Sequence, residues 1–270
     1  MVLYFYILLL LAVFAMAYMW FEAGFVEVKE VKLSSSGNGL KLLLLSDIHI
    51  NLLRVPPEKV KKIIESESPD IIIMSGDYIA KPTDVPEFLD FIDVIQDKNI
   101  KIFLCFGNHD YEAFLKDRGG LEKYINDVEK KGITILHNQA VCYEKNSKKY
   151  NIIGIADYRR GGYNIDKALK LCCGDASVNI AFSHNPDIVL KMPEGKVDCL
   201  LCGHFHGGQI WLPFNLEFKA LRHEKLCKMG VKRGLHKVNG INMYISRGLG
   251  NVLLPFRFLS RPEITVIYLP

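Results

Sequence analysis

Apolar and polar positions divide the chain into two regimes. Residues 1–21, MVLYFYILLLLAVFAMAYMWF, contain no charged side chain. At about 1.5 Å per residue, a helix of that length spans roughly 30 Å, one hydrocarbon core. Tyr4 and Tyr6 near one end, and Tyr18 and Trp20 near the other, sit where amphipathic rings favour membrane interfaces. A linker is expected over 22–39, with a break at Gly37-Asn38-Gly39. Beyond it, short apolar runs alternate with amphipathic ones. KLLLL at 41–45, DIIIMSGD at 70–77 and IKIFLCFGN at 100–108 read as buried strands. Between and after them, three sets of apolar residues recur at helical spacing. They are Val60, Ile63 and Ile64; Phe88, Phe91, Ile92 and Ile95 within 84–98; and Leu121, Tyr124, Ile125 and Val128. This alternation predicts a parallel sheet covered by helices. The second half is richer in strands, with candidates at 150–155, 178–182, 198–202, 209–212, 241–246 and 263–268, and a helix near 164–172. The expected fold is α/β: one domain over 40–270, a four-layer α/β/β/α sandwich of two mixed sheets flanked by helices, carried behind an N-terminal transmembrane helix.

Composition changes this picture little. Hydrophobic residues are 49% of the 270 and charged residues 24%, ordinary for a folded enzyme with some extra apolar weight. A net charge of +4 is too mild to argue for nucleic acid, and a monomer is expected. Ala15 and Ala17 would suit a signal-peptide cleavage site, but the basic segment that such a peptide needs is missing, so a retained anchor is expected. Lys29 and Lys32 follow the span closely, which favours the cytoplasmic side of the membrane for the domain, with an exported face as the alternative. The seven cysteines agree, being odd in number and scattered. Cys199 and Cys202 have the spacing of half a zinc site without a second half, and read as buried strand cysteines.

The chemistry-bearing residues gather at the ends of apolar runs. LLLLSDIH delivers Asp47 and His49, and IIIMSGD delivers Asp77. IFLCFGNHD delivers Asn108, His109 and Asp110, NIAFSHNPD His184, and CLLCGHFH both His204 and His206. In open α/β sheets ligands bind at the carboxyl ends of strands, and five of the eight histidines fall there. Asp, His and Asn suit borderline divalent metals. The candidates are too many for one ion, whereas two ions sharing a carboxylate would use them and clamp a phosphoryl group during in-line displacement.

These residues resemble the calcineurin-like metallophosphoesterase superfamily. Its blocks appear in order as Asp47-Ile48-His49, Gly76-Asp77, Gly107-Asn108-His109-Asp110, His184 and Gly203-His204-Phe205-His206. The resemblance covers residues 40–270 and implies two divalent metal ions, manganese first and iron or zinc as alternatives. It assigns Asp47, His49 and His206 to one ion, Asn108, His184 and His204 to the other, and Asp77 to both. It makes His109 the acid that protonates the leaving oxygen, or, together with Asn108, a hydrogen-bond donor to the phosphate, with Asp110 orienting the His109 ring. Phe205 stands where the superfamily often has threonine, which bears on pocket shape and not on metal binding. SHNPD, GHFHGGQIWLP and SRGLG further resemble a membrane-associated bacterial phosphodiesterase branch, which includes a lipid A pathway enzyme that hydrolyses UDP-2,3-diacylglucosamine. The partner so implied is a phosphate-containing small molecule or lipid.

Other signals stay open. Asp157 follows a strand and is a candidate to line the site. Arg159 and Arg160, beside Gly161-Gly162, suit either a phosphate contact or a solvated loop. Residues 219–237 carry seven basic residues, Arg222 among them, against a single acid, Glu224. That run fits a polyanionic substrate, an anionic membrane face or a solubilising surface. Arg247 and Arg257 share the ambiguity. The apolar run 253–259 fits core packing first and an acyl-chain surface second. His137, His223 and His236 stand outside the motifs and read as solvated or core residues.

Overall fold

The computed structural model describes residues 1–34 and 39–270. Strands run in chain order as β1 (Glu27–Lys32), β2 (Lys41–Leu45), β3 (Ile71–Ser75), β4 (Lys101–Cys105), β5 (Thr134–Ile135), β6 (Gln139–Lys145), β7 (Lys148–Gly154), β8 (Val178–Phe182), β9 (Cys199–Cys202), β10 (Gly234–Val238), β11 (Ile241–Ile245) and β12 (Glu263–Tyr268). They form two six-stranded sheets, β1-β12-β2-β3-β4-β5 and β10-β11-β9-β8-β7-β6. Both are mixed: β2 to β5 are parallel, while β12 runs antiparallel to β2. In the second sheet β7, β8, β9 and β11 are parallel, with β6 and β10 antiparallel at the edges.

The wholly apolar strands have this form because both their faces are covered. Leu42, Leu44, Ile71, Ile73 and Phe103 of the first sheet meet Tyr150, Ile152, Ile180, Phe182 and Leu201 of the second. The alternate residues Leu43, Leu45, Ile72 and Met74 face outward, against Val60 and Ile64 of α2 (Pro57–Glu67) and Phe88, Phe91 and Ile92 of α3 (Val85–Ile95). Short helices and turns cover the other face of the second sheet. The four-layer arrangement is the expected one.

Three expectations are corrected. The stretch 22–39 is not wholly a linker, because it contains β1, which pairs in parallel with β12. β1 was hidden by its sequence, EVKEVK, in which an exposed edge strand carries charges as edge strands commonly do. Gly37 and Asn38 of the expected break lie outside the described residues. Residues 209–212 are not a strand, since only Ile210 makes a bridge, to Phe258. The run 253–259 is not core: Leu253 is 84% exposed, and Leu254 and Leu259 are exposed as well. Cys199 and Cys202, by contrast, are buried in β9 as expected.

The N-terminal segment is one helix, α1 (Val2–Glu22), long and apolar enough to cross a membrane and unburied along its apolar window. Its last turn is fastened to the domain. The Arg257 N–H donates to the Met19 carbonyl at 3.0 Å, and the Glu22 carboxylate accepts from the N–H groups of Leu259 (3.0 Å) and Ser260 (3.1 Å).

Candidate dimetal site

The predicted residues converge at the carboxyl ends of five parallel strands. Asp47 and His49 follow β2, Asp77 follows β3, and Asn108, His109 and Asp110 open α4 (Asn108–Glu112) after β4. His184 follows β8, and His204 and His206 follow β9, so each sheet supplies part of one cluster. The ligand atoms of Asp47, His49 and His206 lie within 4.8 Å of one another, as do those of Asp77, His184 and His204. Asp77 stands between the groups: its Oδ2 is 2.9 Å from His184 Nε2 and 3.7 Å from His49 Nε2. Asp47 Oδ1 is 3.2 Å from His206 Nε2 and 4.0 Å from His184 Nε2. The two groups contain six of the residues that the resemblance names as ligands, and Asp77 of the second lies beside His49 of the first.

The backbone adopts unusual conformations to achieve this. Asp47, His49, Asp77, His204 and His206 all have positive φ, between 39° and 72°. Non-glycine residues seldom occupy that region, and such strain concentrates at functional sites. Two glycines allow the close approach. A Cβ on Gly203 would collide with Ser46 and the Asp47 carboxylate, and one on Gly107 with the Asp77 carboxylate.

Burial sets the protonation states. It pushes His49 down to about 3, His204 to about 4 and His206 well below the usual imidazole range. These three are therefore neutral at physiological pH, the form that ligates metal. Burial would lower His184 too, but the neighbouring Asp77 carboxylate overrides it and lifts His184 to about 10. Asp77 is held well below the usual carboxylate range, His184 outweighing the burial that would raise it. Both partners thus indicate an ion pair between Asp77 and His184. Three buried atoms in the cluster, His49 Nε2, His206 Nδ1 and Asn108 Oδ1, have no hydrogen-bond partner among the described residues. Buried polar atoms are rarely left so. Unpartnered nitrogen and oxygen donors around two carboxylates, without a thiol, fit divalent cations.

His109 lies at the rim, its side chain 37% exposed and its ring centroid 5.2 Å from that of His49. Its backbone N–H donates to Asp77 Oδ1 at 2.9 Å. Asp110 does not orient the His109 ring as expected. Its carboxylate accepts the backbone N–H groups of Asp77 (2.8 Å), Tyr78 (2.9 Å), Ile79 (3.2 Å) and Gly107 (2.8 Å), which fixes the turn that presents Asp77. Glu112 is the carboxylate near the ring instead, 3.6 Å from His109 Nδ1.

Sequence reasoning missed Glu224 as a site residue. It is buried, and its Oε1 lies 3.0 Å from His204 Nε2. Burial would raise this carboxyl, yet the bond to His204 and the nearby arginine hold it at about 2. A neutral His204 that donates from Nε2 presents a free Nδ1, and Nδ1 is the atom facing His184 at 3.1 Å. The available signal was that Glu224 is the lone acid in a basic run. Arg159 pairs with the same Glu224 at 2.9 Å, and Arg222 donates to the His204 carbonyl at 2.8 Å. Arg160 instead pairs with Glu112 at 3.0 Å, on the His109 side. Asp157 is buried and caps this loop, accepting the N–H groups of Arg159 and Arg160. Arg247 and Arg257 are structural. Arg247 joins Glu27 to Glu263, and buried Arg257 donates to carbonyls of residues 247, 248, 250 and 260. His137 bonds the Tyr111 hydroxyl at 2.7 Å.

Comparison with known proteins points to one family. The profile of the calcineurin-like phosphoesterases matches residues 40–208. The uncharacterised metallophosphoesterase YkoQ of Bacillus subtilis is 32% identical over 228 residues, covering 84% of this chain and 82% of that protein. The phosphodiesterase YaeI of Escherichia coli is 29% identical, covering 93% and 88%. The UDP-2,3-diacylglucosamine pyrophosphatase LpxG of Chlamydia trachomatis is 27% identical, covering 85% and 83%. Among solved structures, the sulfate thiohydrolase SoxB of Thermus thermophilus superposes with a TM-score of 0.52 at 10% identity, covering 89% of this chain and 58% of that one, a likeness of fold.

Proposed function

The chain belongs to the calcineurin-like phosphoesterase family of metal-dependent phosphoester hydrolases, and on that premise we propose that it is a membrane-anchored binuclear hydrolase of a phosphodiester or pyrophosphate in an amphiphilic substrate. The observation that carries the reading is the pair of acid–histidine clusters joined at Asp77, with their unpartnered donor atoms. Asp47, His49 and His206 would hold one ion, Asn108, His184 and His204 the other, and Asp77 both. When bound, such a pair supplies Lewis acidity that polarises water and neutralises phosphoryl charge. The chain's own groups do the rest. The Asp77 carboxylate, fixed by the His109 N–H, sets the spacing of the two halves. The exposed imidazole of His109 stands to give a proton to the leaving oxygen. Arg159 and Arg160, each with about half its side chain exposed, stand to draw a phosphate toward the rim.

Asp77→Ala or His206→Ala should abolish turnover of a chromogenic phosphodiester while circular dichroism stays native; full activity in either would overturn the assignment. The donor set accommodates manganese, iron or zinc, and we favour manganese. Reconstitution of chelated protein with each ion, followed by metal analysis, decides among them.

For the substrate, the relatives named phosphodiesterase and UDP-2,3-diacylglucosamine pyrophosphatase support a lipid-linked phosphate, and α1 supports a membrane location. Lys29, Lys32 and the free cysteines favour the cytoplasmic face. We propose UDP-2,3-diacylglucosamine as the substrate, cleaved to UMP and a lipid phosphate. Release of UMP by detergent-solubilised protein tests it. No UMP, with a simple phosphodiester still cleaved, would remove the substrate and leave the chemistry.

A further inference from the structure

The segment after His206 and the apolar run near the C-terminus meet beside the end of α1. Gln209 Nε2 donates to the carbonyls of Val252 (2.9 Å) and Leu254 (3.0 Å), and the Trp211 N–H donates to the Phe258 carbonyl (2.9 Å). Residues 209–214 and 252–259 therefore form one platform. Trp211, Leu212, Phe214, Leu253, Leu254 and Leu259 are exposed on it. An apolar patch of this kind marks an interaction surface.

Its position relative to α1 says what covers it. The rings of Tyr18 and Phe258 lie 6.0 Å apart in an edge contact, and Arg257, Leu259 and Ser260 bond to Met19 and Glu22. Tyr18 is four residues from the end of α1, about 6 Å along the axis at 1.5 Å per residue. With α1 across a bilayer, Phe258 lies at that depth, and the neighbouring exposed leucines lie with it. A second observation concerns charge. Arg54 stacks on Trp20 at 3.6 Å, Arg233 on Trp211 at 4.2 Å and Arg261 on Phe25 at 4.5 Å. Aromatic rings backed by cations at a helix exit suit the headgroup region of an anionic leaflet.

We infer that the 209–214/252–259 platform is embedded in the anionic leaflet that α1 leaves, so that the site opens at headgroup level and takes its substrate from the bilayer. The platform adjoins the acid–histidine clusters: its Gln209 N–H donates to the His206 carbonyl (2.9 Å), and Ser260, the residue after it, donates from Oγ to the carbonyls of His206 and Gly207. The inference rests on the reading of α1 as a membrane anchor.

The chain's two tryptophans, Trp20 and Trp211, allow a direct test. The full-length protein is reconstituted in phosphatidylcholine–phosphatidylglycerol vesicles whose acyl chains are brominated near the headgroup. Trp20→Tyr leaves Trp211 as the reporter of the platform, and Trp211→Phe leaves Trp20 as the reporter of the anchor. Retained hydrolysis of a soluble chromogenic phosphodiester shows that the Trp20→Tyr protein is folded. A ring seated about 5–10 Å below the surface should lose about half its emission to the bromines, and be shielded from iodide in the buffer. That result for Trp211 supports the inference. Quenching of Trp20 alone, with Trp211 open to iodide, overturns the platform and leaves the anchor. Quenching of neither overturns both.

Discussion

At the scale of single residues, the site depends on groups that touch no substrate. Glu224 fixes which nitrogen of His204 faces the cluster, and second partners of this kind typically govern metal affinity. Glu224→Gln should weaken metal binding about 10- to 100-fold by titration calorimetry, with Glu224→Asp partly restoring it, since the carboxylate is retained. Unchanged affinity in the glutamine variant would make the contact merely structural. Asp110 accepts four backbone N–H groups. In Asp110→Asn an amide N–H₂ must face two of those donors, and the expected loss is about 3 kcal/mol in urea unfolding. The motif blocks made the two acid–histidine clusters legible in the sequence, because their spacing is fixed by strand ends. The tasks of Asp110 and Glu224 were not legible. One depends chiefly on backbone donors more than thirty residues away, the other on a contact between residues twenty apart across turns and a short helix.

Among the elements, the buried strands were readable because burial on both faces leaves an unbroken apolar run, as in β2, β3, β4 and β9. The edge strands β1, β6 and β10 were not read, since half-exposed positions dilute the pattern with charge. The segment 247–260 carries no periodic signal at all, being shaped by a single buried guanidinium. Arg257 gathers carbonyls of residues 247, 248, 250 and 260 around itself. Arg257→Met keeps much of the volume but leaves those carbonyls unpaired, and should cost about 3 kcal/mol in denaturant unfolding. Because Leu249 and Gly250 bond to the carbonyls of Ser46 and Asp47, metal affinity should fall with it. Stability equal to wild type would mean that water replaces the guanidinium.

For the whole molecule, the two sheets share a core between them that needs no metal, and the Asp77–His184 ion pair satisfies part of the site without one. Chelation should therefore lower the melting temperature and leave the far-ultraviolet spectrum native. An ion at about 100 times its Kd contributes about 2.7 kcal/mol, which for a domain of this size is roughly 5–10 °C. A chelated protein that loses its secondary structure would refute a metal-independent core. The fastening of α1 has a different consequence. A catalytic domain on a loose stalk could sweep a volume above the bilayer, but here three hydrogen bonds and a ring contact leave no stalk. With α1 in a membrane, the height of the clusters above the lipid is a constant, and the enzyme acts as a gauge. Phosphates carried at that height are reached, and those set deeper, or held away by a bulkier headgroup, are passed over whatever their chemistry.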